Sequence, residues 1–147
     1  MRRILVVHST SDPAVDDRIS AMAKKSELAG YELHHATFFR PEDEHELSQI
    51  KPSEFLRRNE LRILSRLDRQ IAATKSDLII LHSGIAFSIA PETILSIFSE
   101  LKTKHPERKF GIQRNVIFDD MLVRFPRQIE GIFDQSPEIT NLVKAMF

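Results

Sequence analysis

Ile4-Leu5-Val6-Val7-His8-Ser9-Thr10-Ser11-Asp12-Pro13 is the stretch on which the fold turns. The run from Arg3 to Val7 lacks the polar alternation of a strand with one wet face. It reads as a parallel strand covered on both faces. That strand is expected to end at His8, with a short polar turn after it. In an open α/β sheet, the loop that follows a strand's carboxyl end lies in a crevice between helices, where ligands bind. A histidine at that spot can hold a metal or move a proton near neutral pH. The plain alternative is that His8 only hydrogen-bonds its own loop.

Outward from this stretch, strand and helix signals alternate. Asp12-Pro13 breaks the strand, Asp16 or Asp17 puts negative charge near a helix start, and Gly30 stands where that helix would stop. Tyr31 to Phe39 reads as a second strand. Pro41 to Ser53 is a polar connection with a short turn of helix at Glu44 to Ile50. One long helix is expected from about Ser53, with Leu61, Leu64, Leu67 and Ile71 as its apolar stripe. Asp77 to Leu81 is a third strand ending in His82. Pro91-Glu92 opens a helix that buries Ile94, Ile97, Phe98 and Leu101. Lys109 to Gln113 is a fourth strand, Phe118 to Phe133 a helix interrupted at Pro126, and Ser136-Pro137-Glu138 caps the last helix. This order predicts an α/β three-layer sandwich around a four-stranded parallel sheet.

Composition narrows the function. A chain of 147 residues reads as one domain, 1–147, long enough to bury a core without staples. With 21 basic and 21 acidic residues, no global field draws in nucleic acid or anionic lipid. The acidic run Pro41 to Glu46 and the arginine-rich run Arg57 to Arg69 read as solvated faces. The chain has no cysteine, so disulfides, thiolate metal sites and cysteine nucleophiles are excluded. No apolar run approaches a membrane span and no signal peptide precedes the first strand, so a cytoplasmic location is expected.

Parallel topology gathers the carboxyl ends of all strands on one edge. In strand order two-one-three-four, His8 and His82 flank one crevice at the topological switch point. Two facing imidazoles could ligate a divalent metal, with further ligands from water, a carboxylate or a bound substrate. Ser9, Thr10 and Ser11 after the first strand, and Ser83, Gly84 and Ser88 after the third, offer groups for phosphate or carboxylate. Arg114 follows the fourth strand, and Glu92 borders the crevice at a helix start, where it also complements the dipole. His34 and His35 must face opposite sides of their strand and read as structural. His45 is expected to be exposed, and His105 suits a helix end. No G-x-G-x-x-G or P-loop is present.

The stretch Leu5-Val6-Val7-His8-Ser9-Thr10-Ser11-Asp12-Pro13 is similar to the strand ending His-Gly-Ser-Arg-Asp-Pro of the small class II tetrapyrrole chelatases. Ile89-Ala90-Pro91-Glu92 through Lys104-His105-Pro106 to Phe110-Gly111-Ile112 resembles that family's Asp-Ile-Pro helix, His-Pro turn and fourth strand. Gln113 to Val123 resembles the loop and helix that follow. Ser9 stands where the family has glycine and Ser11 where it has arginine. Gly84-Ile85-Ala86-Phe87 takes the place of its Gly-x-His segment, with His82 nearby. The resemblance implies a flavodoxin/chelatase-like fold and an enzyme that inserts Co, Ni or Fe into a sirohydrochlorin-type tetrapyrrole. It implies catalytic and metal-binding roles for His8 and His82, assistance from Glu92, and no organic cofactor. The partner would be a tetrapyrrole or other small anionic ligand, and a homodimer would enclose it better than one small sheet alone.

Two other classes stay open on the residues. One is a nucleotide-related enzyme, deoxyribosyltransferase-like with Asp77, Ser88 and a nucleophilic Glu92, or FMN-binding and flavodoxin-like through the Ser9 to Ser11 loop. The other is a non-catalytic ligand-binding module on the same fold.

Overall fold

The computed structural model describes residues 2–10 and 13–147. β1 (Arg2–Thr10) leads to α1 (Pro13–Ala23), β2 (Tyr31–Phe39), α2 (Glu44–Leu47), α3 (Pro52–Arg58) and α4 (Glu60–Thr74). β3 (Leu78–Leu81), α5 (Ile85–Ile89), α6 (Pro91–Lys104) and β4 (Lys109–Ile112) follow. The chain continues through α7 (Val116–Arg124), α8 (Pro126–Ile132) and α9 (Pro137–Met146). The four strands pair in parallel in the order β2-β1-β3-β4, as the alternation of elements predicts.

β1 is longer than its apolar run suggests. β3 stops beside β1 at the Val7–Leu81 pair, but β2 carries on, pairing His8 with Thr37 and Thr10 with Phe39. His8 therefore lies on the strand as expected, and Ser9 and Thr10 lie on it too, not in the turn expected after His8. A partner on one side is enough to satisfy their backbone on that side, and pairing extends the strand.

The two faces of the sheet are covered unequally. Leu5, Val7, Phe38, Ile79, Leu81 and Phe110 point into a large core closed by α3 to α8. Ile4, Val6, Leu78 and Ile80, displaced by one residue, point the other way onto Met22 of α1 and Ile139, Val143 and Met146 of α9. On the thick side Ile94, Ile97, Phe98 and Leu101 of α6 are all fully buried, as their spacing predicts.

The expected long helix is two helices. The chain breaks at Asn59 (φ −104°, ψ 15°), whose side-chain amide donates to the Phe55 carbonyl at 2.9 Å and to Glu46 at 2.6 Å. That break re-phases α4: Leu61 is 77 % exposed, while Ile63 joins Leu64, Leu67 and Ile71 in the core. The arginine-rich run also departs from expectation at one position. Arg66 is buried, because it donates to the Thr37 and Phe38 carbonyls at the end of β2. Burial, and secondarily Arg40, lowers its pKa.

Gly111 marks where α9 meets the sheet. A Cβ there would lie 2.7 Å from Ile80 Cδ1 and 3.1 Å from methyls of Ile139 and Val143. Gly111→Ala is expected to lower stability by about 1–3 kcal/mol through overpacking. Gly131→Ala, on α8 with nothing within 4 Å, is expected to raise it by up to about 1 kcal/mol. Urea unfolding of both variants checks the pair.

Candidate functional site

Strand alternation places three histidines on the thin face. His8 follows Ile4 and Val6 at even spacing, His82 follows Leu78 and Ile80, and His35 pairs beside Val6. Their rings converge past the end of β3. The His8 and His82 centroids lie 5.0 Å apart, and those of His8 and His35 lie 6.4 Å apart, edge to face. The His82 backbone N–H donates to the Val7 carbonyl at 3.0 Å, which holds the two strand ends together. His8 is buried and His82 half-buried.

Two charged groups complete the constellation. On α1, Ala14, Val15 and Arg18 share a face at helical spacing and line the crevice. Arg18 Nη1 lies 3.1 Å from His82 Nε2. A guanidinium can only donate, so Nε2 accepts and the proton of the neutral imidazole sits on Nδ1. His35 Nε2 lies 3.1 Å from an Asp16 carboxylate oxygen. Phe147 packs on the His82 ring at 5.2 Å between centroids. Burial, and after it the Arg18 charge, holds the His82 pKa below the ordinary histidine value.

The cavity between these groups measures about 190 Å³ and is lined by His8, Ser9, Thr10, Arg18, His82, Gly84 and Ile85, beside the two α1 residues. Ser9 Oγ accepts from the Ala86 N–H at 3.0 Å and so ties β1 to the start of α5. A Cβ on Gly84 would approach that oxygen to 2.9 Å and His82 Nδ1 to 3.4 Å, which is why the chain turns here on glycine.

Of the residues singled out from sequence, His8, His82, Ser9, Thr10 and Gly84 meet at this cavity. Ser11 lies outside the described residues. Ser83 is buried and structural: its hydroxyl donates to the Gln113 carbonyl at 2.8 Å, and its own carbonyl accepts from Asn115 at 2.7 Å. Ser88 is exposed on α5 and does not line the cavity. Arg114 is exposed beyond β4, bonded to Gln135 and packed over Phe118. Glu92 is exposed and lines a groove with residues of α6 and α8, away from the histidines. Asp77 sits at the amino edge, where it accepts from the Arg3 N–H at 3.0 Å. Arg18 was not singled out, and His35 was read as structural; the helical spacing of Ala14 and Arg18 and the even spacing of His35 from Leu33 are the signals that mark them.

The arrangement suits proton transfer and the binding of an anion. Neutral imidazole accepts protons near pH 7, and Arg18 supplies a cation for a carboxylate or phosphate. A cation held at this pair would take its protein ligands from the imidazole nitrogens of His8 and His82, whose ring centroids lie 5.0 Å apart. No cluster of three or more metal-ligating side chains is assembled among the described residues. Further ligands to such a cation would come from its substrate or from water. Among the described residues, no helix is long and apolar enough to cross a membrane. Compared with protein-family models, curated proteins and solved structures, the chain matches none.

Because His82 binds its proton less readily when folded than when unfolded, the unfolded chain holds the extra proton just below the ordinary histidine pKa. The corresponding stability is therefore present above that value and is lost as pH falls from it toward the lowered value of the folded chain. Arg18→Leu is expected to raise the His82 pKa without restoring the unfolded value, since the larger cause, burial, remains. NMR titration of the His82 ring proton checks this; a downward shift would overturn the assignment.

Proposed function

We propose that the crevice inserts a divalent metal into an acidic tetrapyrrole of the sirohydrochlorin type, with Co, Ni or Fe as substrate. The observation that carries this reading is the pair of imidazoles, 5.0 Å apart, at the β1–β3 switch point. Metal insertion removes two protons from pyrrole nitrogens and delivers a cation to them. Both tasks suit neutral imidazole. The lowered pKa of His82 keeps its ring neutral and able to accept a proton or a metal at pH 7.

In this reading, Arg18 releases His82 Nε2 when a substrate carboxylate takes its guanidinium. His8 and His82 then hold the incoming cation through one nitrogen each, and as the cation passes to the two pyrrole nitrogens, the imidazole nitrogens it leaves take up the two displaced protons. A cavity of about 190 Å³ takes only the reacting edge of a macrocycle, and a homodimer is the assembly that would cover the remainder. The transferase alternative lacks support here, because Glu92, its nucleophile, does not line the cavity.

The test is anaerobic absorbance of sirohydrochlorin with Co²⁺, Ni²⁺ or Fe²⁺, with and without the protein. Metallation is expected to run faster than in the protein-free control. His8→Ala is expected to lose about 10²-fold or more of the rate, the usual contribution of a positioned proton acceptor. Arg18→Ala is expected to raise KM more than it lowers kcat. A wild-type rate equal to the control would overturn the proposal.

A further inference from the structure

A second cavity opens directly beside the histidine crevice. It measures about 480 Å³ and is walled by Phe39, Leu47, Pro52, Ile85 and Ile89. Thr10 and Ile85 line both cavities. The histidine crevice lies on the α1 side of the carboxyl edge of the sheet. The apolar cavity lies on the α2–α3 side, and the two meet where β1 ends. Ile85 stands at this junction with 58 % of its surface exposed, although it is a large apolar side chain next to a core. Such exposure in a concave setting costs hydration free energy that a ligand's apolar surface would recover. Lys51 lines the apolar cavity and Arg18 the polar one, and among the described residues no carboxylate lines either cavity, Asp16 on α1 being paired with His35.

We propose that the two cavities are one two-compartment site for an amphipathic organic acid. Its carboxylate is held by Arg18 in the histidine crevice, and its apolar body crosses Thr10 and Ile85 into the cavity beside α2 and α3. This rests on reading the crevice as an anion site, and it adds where the uncharged part of the ligand goes. The size supports a ligand body well above that of a small metabolite: pockets of about 300–1,000 Å³ take drug-sized molecules, with a few polar groups fixing their orientation. The division of chemistry, polar and histidine-lined at one end and walled chiefly by aliphatic and aromatic side chains at the other, is what distinguishes an amphipathic acid from a nucleotide or a sugar phosphate.

The experiment is calorimetric titration with linear carboxylates from hexanoate to decanoate, and with decanol as the uncharged control, in the absence of metal and macrocycle. Affinity is expected to rise about fourfold per methylene, the value of burying each CH₂. Arg18→Ala is expected to weaken decanoate about tenfold and leave decanol unchanged. Ser53→Phe, which fills the apolar cavity, is expected to flatten the chain-length dependence. Ile85→Asp, at a position 58 % exposed, is expected to do the same. Affinity that does not grow with chain length, or grows but is untouched by Ser53→Phe and Ile85→Asp, would overturn the two-compartment site. Decanoate binding that ignores Arg18→Ala would overturn its polar end. Because no metal enters these titrations, failure here is separable from failure of the metallation assay.

Discussion

The unequal length of β1 and its neighbour β3 is the constraint from which the site follows. β1 is buried on both faces from Ile4 to His8 and must pair its backbone wherever water is excluded. β2 meets that need as far as Thr10, whereas β3 leaves the sheet after Leu81. The step between these two ends is the crevice. The chain departing from β3 passes along the flank of β1 that β3 no longer covers, and the His82 N–H to Val7 carbonyl bond at 3.0 Å is the last rung before the gap. Ser9 then bonds the start of α5 across the gap, so its width is set by a hydrogen bond and by the lack of a side chain at Gly84.

Asymmetry of the layers decides which side of that step is chemically useful. The thick side is filled with Phe87, Phe98, Phe110 and other large apolar groups, and a histidine there would be sealed. The thin side is roofed by α1, α9 and the turn that carries Leu28, with a much smaller apolar cluster. Even-numbered positions of β1 and β3 face this side, so the residue that ends each run, His8 or His82, points toward α1 rather than into the main core. Arg18 can reach the crevice because α1 lies directly over it.

Much of this was legible from residues alone. Parallel topology and the order two-one-three-four predict that His8 and His82 flank one crevice at the carboxyl edge. Arg18 was not legible, because a helix residue's partner depends on the rotation of α1 over the sheet, and no local pattern encodes that rotation. His35 was set aside with His34, although their opposite orientation means that exactly one of them faces the crevice side. The stripe of α4 was misread at Leu61 because Asn59 shifts the helical phase, and a bond from its side chain to Glu46, thirteen residues away, reinforces the break. Glu92 was placed at the crevice from its helix start alone. α5, which lies between His82 and α6, carries the chain over the sheet edge and leaves Glu92 on the far side.

Arg18 and His82 make the affinity of the crevice for protons depend on what else occupies it. The guanidinium opposes protonation of His82 and occupies Nε2. A carboxylate that takes Arg18 offsets its charge and frees that nitrogen, so binding an anion and gaining a proton favour each other. Burial continues to oppose the charged ring, which bounds the effect: the proton is accepted but held weakly. A group with those properties takes protons from a bound acid and returns them to water once the product leaves. In the proposed metallation, this coupling would tie proton acceptance to the presence of the anionic substrate, leaving the unliganded crevice neutral at His82.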